Sequence, residues 1–310
     1  GEGIISEIEV LRGDIAAILV EASLDAGVSY RFGTRITELS DGPDQVSVTL
    51  SDGHQEEVDL VVGADGPHSA TRRLAFGPEE EFVRPLGGYM AWFTVPQTTP
   101  LDDWYQMFNA PGGRVASLRP ARDPGLAKAS LSFTSEPLTY DRHDLDAQRR
   151  LVADHFVGVG WRVPELVAAA HEADDFYLDA LVQVDMPSWT AGRTALVGDA
   201  ACCPSPLTGL GTSLALVGAY VLAGELLAHD DHGEAFARYE RLVRPYVGTA
   251  QELPPGGVAS YAPRTQAAIR ARWLFTRLIV SRPLRGLAQR LLFSKASAIE
   301  VPDYSSTSVG

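Results

Sequence analysis

Two stretches of this sequence place a glycine turn and a carboxylate at the end of an apolar run. That pattern suits ligands rich in hydroxyls and negative charge. In the first, Ala195-Leu196-Val197-Gly198-Asp199-Ala200-Ala201 leads through Pro204, Pro206, Gly209 and Gly211 into an apolar segment. A buried strand feeding a glycine-rich loop and then a helix leaves the N–H groups of Leu210, Gly211, Thr212 and Ser213 without intrahelical partners. They form a positive end facing the space beyond the loop. Asp199 at the strand end can accept hydrogen bonds from ribose-type hydroxyls, and an anionic ring or phosphate is the natural guest of the helix end. In the second stretch, Leu60-Val61-Val62-Gly63-Ala64-Asp65-Gly66-Pro67-His68-Ser69-Ala70-Thr71-Arg72, another apolar run ends in Asp65-Gly66. Gly66 lets the backbone turn sharply, and Asp65 then projects at the carboxyl edge of a sheet, where open α/β sheets bind ligands. A structural ion pair between Asp65 and Arg72 is the competing reading of that motif.

Periodicity indicates the elements that must hold these motifs. Residues 4–10 read as a strand. Residues 12–26 read as a helix, with Ile15, Ile18 and Leu19 at helical spacing and Gly27 as its stop, and residues 28–32 read as a second strand. Residues 35–39 and 45–50 alternate around Asp41-Gly42-Pro43, which is hairpin grammar, and the apolar residues 60–62 read as a buried parallel strand. From residue 82 to 184 the texture changes to strands broken by Pro and Gly, at 90–95, 105–108, 114–118 and 128–133. Helices are expected there at 145–157 and 164–171, before a strand at 176–184. Parallel-sheet texture returns at 193–197, followed by an apolar helix over 214–227.

The expected fold is therefore α/β: a Rossmann-like parallel sheet with an inserted, mainly antiparallel β domain and a C-terminal helix. The boundaries are 1–80 and 188–260 for the two parts of the α/β domain, 81–187 for the insertion and 261–310 for the C-terminal helical segment.

The chain carries a formal charge of −14, which excludes a nucleic-acid binder, because neutralising phosphates requires a basic surface. Residues 261–295 run against this, with seven Arg, one Lys and no acid. This segment is read as docking on the acidic body of the protein rather than on an anionic membrane. Cys202 and Cys203 are the two cysteines, and sequence neighbours seldom meet disulfide geometry, so a reducing cytoplasm is expected. No run approaches the roughly 18 consecutive apolar residues that span a bilayer. His68, His143, His155 and His171 lack metal-ligand spacing, so no metal is assigned. Neither a Gly-x-Ser-x-Gly elbow nor a Walker loop occurs.

Together the segments resemble the class A flavoprotein monooxygenases, the family of p-hydroxybenzoate-hydroxylase-like and tetracycline-inactivating enzymes. Gly198-Asp199 matches the motif whose Asp binds the ribitol or pyrophosphate region of FAD. Asp65-Gly66 with Ser69 and Arg72 matches the motif associated with both FAD and NAD(P)H. Arg12, opening Arg12-Gly13-Asp14-Ile15, resembles the family arginine that contacts FAD from the start of a helix. The resemblance implies FAD as cofactor, NADPH or NADH as cosubstrate, and O2-dependent hydroxylation of an aromatic or polycyclic small molecule. The protein would mainly position and stabilise, with no side-chain nucleophile. The helix end at Gly211 to Ser213 would favour the anionic reduced flavin.

Two departures stand out. The Gly-x-Gly-x-x-Gly unit of at least about 30 residues that holds the adenosine diphosphate half is absent, so the sequence reads as an N-terminally truncated piece. Cys202 stands where many relatives carry His, and it reads as a small buried apolar residue.

A substrate pocket is expected between the inserted sheet and the flavin crevice, walled by Met90, Trp92, Phe108, Arg119 and Phe133. The rival readings are a non-catalytic fragment that keeps the fold and another flavoenzyme of the same fold, such as a reductase. A halogenase is disfavoured, because Ala91-Trp92-Phe93-Thr94-Val95 does not match Trp-x-Trp-x-Ile. Oligomeric state is not encoded in these motifs.

Overall fold

A computed structural model describes residues 12–279 and 301–305. The strand expected at 4–10 and the far end of the basic segment lie outside the described residues. Helix α1 (Arg12–Asp25) ends as its sequence requires. Gly27 takes φ +89°, Val28 N–H donates to the Ser23 carbonyl at 2.9 Å and Gly27 N–H to that of Leu24 at 3.0 Å, a closure only glycine makes without strain. Residues 28–32 form no strand; Val28, Tyr30 and Phe32 are exposed. No described strand offers them an edge, and alternation cannot by itself supply backbone hydrogen-bond partners.

Three short strands follow: β1 (Ile36–Asp41), β2 (Val46–Leu50) and β3 (Gln55–Val58), an antiparallel meander in that order. Next come β4 (Val61–Gly63), α2 (Ala70–Phe76), and the long β5 (Val83–Pro96). The inserted region continues with β6 (Gln106–Ala110), β7 (Arg114–Pro120), β8 (Leu126–Thr134), α3 (Leu145–His155), α4 (Val163–Glu172) and β9 (Tyr177–Val184). The last part holds β10 (Thr190–Ala191), β11 (Thr194–Leu196), the single turn α5 (Asp199–Cys202), α6 (Gly211–Ala228), α7 (His232–Gln251), α8 (Gly257–Tyr261) and α9 (Gln266–Ile279).

These elements group into two compact units. One comprises Arg12–Arg84, Val182–Leu253 and the tail 301–305; the other comprises Pro85–Leu181 with residues 254–279. The residues expected as a separate C-terminal segment thus group, as far as 279, with the antiparallel sheet.

In the first unit β4 and β11 pair in parallel, Val61 opposite Thr194 and Gly63 opposite Leu196, with β10 antiparallel on the other side of β11. Both glycine-carboxylate motifs therefore leave adjacent strands in the same direction. Helix α7, which the sequence reading did not anticipate, braces this pair. Its N-cap Asp231 accepts from Glu234 N–H at 2.8 Å, and Phe236, Tyr239, Val243, Tyr246, Val247 and Ala250 are buried along one face. The Tyr239 hydroxyl donates to the Leu196 carbonyl at 2.9 Å. Glu240 accepts from Ser188 Oγ and Trp189 N–H, both at 2.7 Å, and from Thr190 Oγ1 at 3.0 Å, fixing the β10–β11 hairpin. By length and composition α6 would suffice to cross a membrane. In this unit its Leu214, Gly218, Val221, Leu222 and Glu225 are buried, and Thr212, Ser213 and Glu225 interrupt the apolar run.

In the second unit the strand order is β6-β7-β8-β5-β9. Because side chains alternate across a strand, Tyr89, Ala91, Phe93, Leu131 and Phe133 share the face that packs with α3 and α4, around Val152, Phe156, Val163 and Leu166. Met90, Trp92, Ser117, Ser130 and Ser132 alternate with them and belong to the opposite face.

The close approach at the end of the parallel pair yields a prediction. A Cβ on Gly63 would lie 2.6 Å from Leu196 Cδ2 and 2.8 Å from Thr71 Cβ. Gly63→Ala is expected to destabilise this unit by about 1–3 kcal/mol through overpacking, read as a lowered urea midpoint with an unchanged slope.

Candidate cofactor site

At the end of β4 the chain turns at Gly66 (φ +83°) and enters α2. Ser69 is the N-cap, its Oγ accepting from Arg72 N–H at 2.8 Å. The Asp65 carboxylate closes the same turn: it accepts from Ser69 Oγ at 2.5 Å, Thr71 N–H at 2.9 Å and Thr71 Oγ1 at 3.1 Å. Partial burial works to raise its pKa, but the bonds from Ser69 and Thr71 outweigh it and hold the group below its ordinary 3.8. A carboxylate at a helix N-terminus is also favoured by the helix dipole.

Arg72 is fully buried. Its Nη1 donates to the Ala200 carbonyl at 2.9 Å and its Nη2 to the Pro67 carbonyl at 2.6 Å, with Glu79 Oε2 at 3.8 Å. The partners that fix this guanidinium are thus the two loop backbones and Glu79, and Asp65 is taken up by Ser69 and Thr71. Because Ala200 follows Asp199 directly, one side chain fastens the first motif to the second.

At the end of β11, Gly198 adopts φ +60°, ψ −139°, a conformation strained for any other residue, and a Cβ there would sit a tight 3.1 Å from Ala215 Cβ. Asp199 begins α5. Beyond it Ala200 to Pro204 are buried, and Ser205 is held at φ +80° with its Oγ buried and, among the described residues, unpartnered. Pro206 opens a short 3-10 turn, Gly209 follows in the left-handed region at φ +71°, and Leu210 precedes α6 with no side-chain cap. The N–H groups of Gly211, Thr212 and Ser213 accordingly begin an 18-residue helix with no cap from its own N-cap side chain. Asp199 Oδ1 would lie 3.7 Å from a Cβ on Gly211, so the carboxylate and the positive helix end are neighbours. A strained serine with an orphaned hydroxyl, an uncapped helix and glycines that keep the surface clear fit a group offering both anionic and hydroxyl edges.

Asp65, Gly66, Gly198, Asp199, Pro206, Gly209 and Leu210 therefore lie on the connections that leave paired strands side by side, and Gly211, Thr212 and Ser213 form the first turn of the helix that follows one of them. Arg12 opens α1, and its side chain lies outside the described residues. Cys202 and Cys203 are buried free thiols; Cys202 Sγ lies 3.5 Å from the Gly198 carbonyl, and burial pushes its pKa up, away from thiolate chemistry.

Sequence reasoning missed Tyr246, which hydrogen-bonds Ser213 from α7, and the role of Thr71. The Asp231 cap followed by apolar residues at helical spacing was the available signal for α7.

The expected pocket walls divide between the two faces of the antiparallel sheet. Phe133 is 1% exposed and packs at 3.9 Å between ring centroids on His155, while Phe108 stacks on Trp161 at 5.5 Å and packs against the same core. Phe133 is a core residue of the helix-covered face and Phe108 a half-buried one packed against it, which corrects their assignment as walls. The strand alternation that made them resemble Met90 and Trp92 in type puts them on the other side. Met90 and Trp92 share the opposite face, Trp92 stacking on Tyr177 at 6.0 Å. Arg119 lies on β7, two residues beyond Ser117 on that face.

The fold and this pair of loops suit a ligand with anionic and hydroxyl edges, and comparisons with known proteins give the family. The model of the FAD binding domain family matches residues 11–241. A flavin-dependent monooxygenase of Legionella longbeachae is 40% identical over 248 residues, covering 80% of this chain and 63% of the relative. The FAD-dependent monooxygenase asL6 of Sarocladium schorii is 33% identical over 321 residues, covering 98% and 75%. Among solved structures, the tetracycline destructase Tet(51) superposes with a TM-score of 0.78 at 32% identity, covering 97% of this chain and 77% of that one. The chain belongs to the class A FAD-dependent monooxygenase family. It spans 63% of the length of flavin-dependent monooxygenases it matches.

Two predictions follow from the loop geometry. Arg72→Met leaves the Ala200 and Pro67 carbonyls without their donor and is expected to destabilise this unit by about 3–5 kcal/mol. Arg72→Lys, lacking the planar fork, should recover only part of this in urea unfolding. Because the folded pKa of Asp65 is depressed, its stabilisation is present above 3.8 and lost as pH falls through the folded value. The stability gap between the wild type and Asp65→Asn should therefore narrow as pH drops from about 6 to about 3.

Proposed function

We propose that this chain forms the flavin-embracing body of a monooxygenase that uses NADPH or NADH and O2 to hydroxylate an aromatic or polycyclic small molecule. The observation that carries the reading is the N-terminus of α6, uncapped by its N-cap residue and beside Asp199, with a buried Ser205 hydroxyl that has no partner among the described residues. Asp199 would accept from hydroxyls of the ribitol region. The N–H groups of Gly211, Thr212 and Ser213 would donate to the electron-rich pyrimidine edge of the ring system, favouring its anionic reduced form. Gly198, Gly209 and Gly211 keep side chains out of the approach, and Pro206 stiffens the loop. Asp65 and Gly66 shape the neighbouring loop end, and Arg12 is assigned to the same cofactor from the start of α1.

FAD, when bound, supplies the redox chemistry that passes electrons from NAD(P)H to O2 and delivers one oxygen atom to the substrate. The family likeness to a tetracycline destructase supports a polycyclic substrate class. Met90, Trp92 and Arg119 are the residues of the expected set that remain candidates for substrate contact.

The test is an FAD titration of the purified chain followed by visible absorption and flavin fluorescence. A structured, red-shifted flavin band with quenched emission is expected for the wild type, and Asp199→Ala should weaken binding about tenfold or more, the worth of hydrogen bonds to a charged group. NAD(P)H-dependent oxygen uptake by the loaded protein completes the assignment. An unperturbed flavin spectrum at saturating FAD, both in this chain and in a version extended by the Gly-x-Gly-x-x-Gly unit, would sink it.

A further inference from the structure

The far end of α6 carries a feature that the cofactor reading does not use. The tail residues 301–305 lie along this helix through a small set of contacts. The Tyr304 ring occupies the space above Gly224, where a Cβ would fall 2.2–2.5 Å from three of its ring atoms. Its hydroxyl donates to Glu225 Oε1 at 2.6 Å. Tyr220 packs beside it, with ring centroids 5.5 Å apart, and donates its hydroxyl to the Pro302 carbonyl at 3.2 Å. Glu225 is 2% exposed, an unusual place for a carboxylate on an otherwise apolar helix. It is held there by Arg238 Nε from α7 at 2.6 Å and has His229 Nδ1 at 3.4 Å, so one of its oxygens is fixed by α7 and the other is turned to the phenol.

We propose that α6 bears a phenol-binding seat, with Gly224 as its floor, Glu225 as its acceptor and Tyr220 as its wall, whose occupant is Tyr304, and that the tail is a strap seating there reversibly. Three properties separate this from ordinary helix packing. The floor must be glycine, although glycine in a helix interior is the poorer choice for the helix alone. The acceptor is a buried charge whose other partners remain in place when the strap leaves, so the seat persists without its occupant. The described strap touches α6 through one ring, two side-chain hydrogen bonds and a long contact from Tyr304 N–H to the Tyr220 hydroxyl at 3.5 Å. That places it among segments that open without global unfolding. Since α6 starts at the candidate cofactor loop, seating the strap would favour the ordered helix over its frayed forms, and the two ends of one helix become linked sites.

The test uses the full chain and does not require FAD, so its failure is separable from failure of the functional reading. Wild type, Tyr304→Phe and Gly224→Ala are compared by carboxypeptidase trimming followed by mass, and by amide hydrogen exchange across α6. Far-UV circular dichroism serves as the folding control. In Tyr304→Phe, trimming past residue 301 and exchange in the second half of α6 are expected to accelerate about tenfold, the worth of a hydrogen bond to a charged acceptor. Gly224→Ala should accelerate trimming further, although Ala is the better helix former. If trimming in Gly224→Ala matches the wild type while the fold is intact, the seat is refuted. If trimming accelerates but α6 exchange is unchanged, the strap is shown not to act on the helix and the linkage is overturned.

Discussion

A guanidinium closed off from water has to be met by oxygen atoms on its own side of the boundary, and in this protein those oxygens are backbone carbonyls of the two loops with candidate chemistry. Arg72 joins Pro67 to Ala200, and the cost of burying its charge makes any drift of either loop expensive. The parallel register of β4 and β11 brings the loops to the same edge; the arginine then sets their separation. Ser69, Thr71 and Asp65 are arranged around the start of α2 so that this side chain enters from a fixed direction.

On that frame the loop after β11 can hold an unfavourable conformation. Ser205 at φ +80° with a buried hydroxyl unpartnered among the described residues, and a helix that begins without a side-chain cap from its N-cap residue, are both features that packing alone would remove. They are kept in place by neighbours with every reason to be rigid: Tyr239 on the Leu196 carbonyl, Glu240 on the β10–β11 hairpin, and the buried run from Ala200 to Pro204. Local stability is spent where a ligand would restore it. The same helix ends in a polar cluster in which Arg238 pairs with Glu225 and His229 lies beside it, so both of its termini are defined by polar groups although its middle is apolar.

Much of the candidate site could be read directly, because glycine and aspartate at the ends of apolar strands leave few geometries open. The α1 closure at Gly27, the parallel reading of residues 60–62 and the strand-loop-helix read over residues 193–227 are local in this sense. The strand expected at 28–32 failed because alternation describes a surface and says nothing about whether another strand lies beside it. Phe108 and Phe133 failed as pocket walls because residue type does not reveal which of two sheet faces is covered by helices. Helix α7 escaped notice because its apolar positions are interleaved with charges and a proline at 245, and its purpose, bracing β11, concerns residues more than forty positions away.

What the sequence determined by itself was chemistry confined to a few consecutive residues: which backbone could turn, which carboxylate would stand at a strand end, which helix would start with free N–H groups, and the family to which that order of motifs points. What only the tertiary structure decided was partnership. The competing reading of the second motif paired Arg72 with Asp65 seven positions earlier, and its guanidinium donates to Ala200, 128 positions away. Tyr304 finds Glu225 across 79. Hydrogen bonds and burial depend on distance in space, and a linear order of residues fixes that distance only within a turn or two of chain.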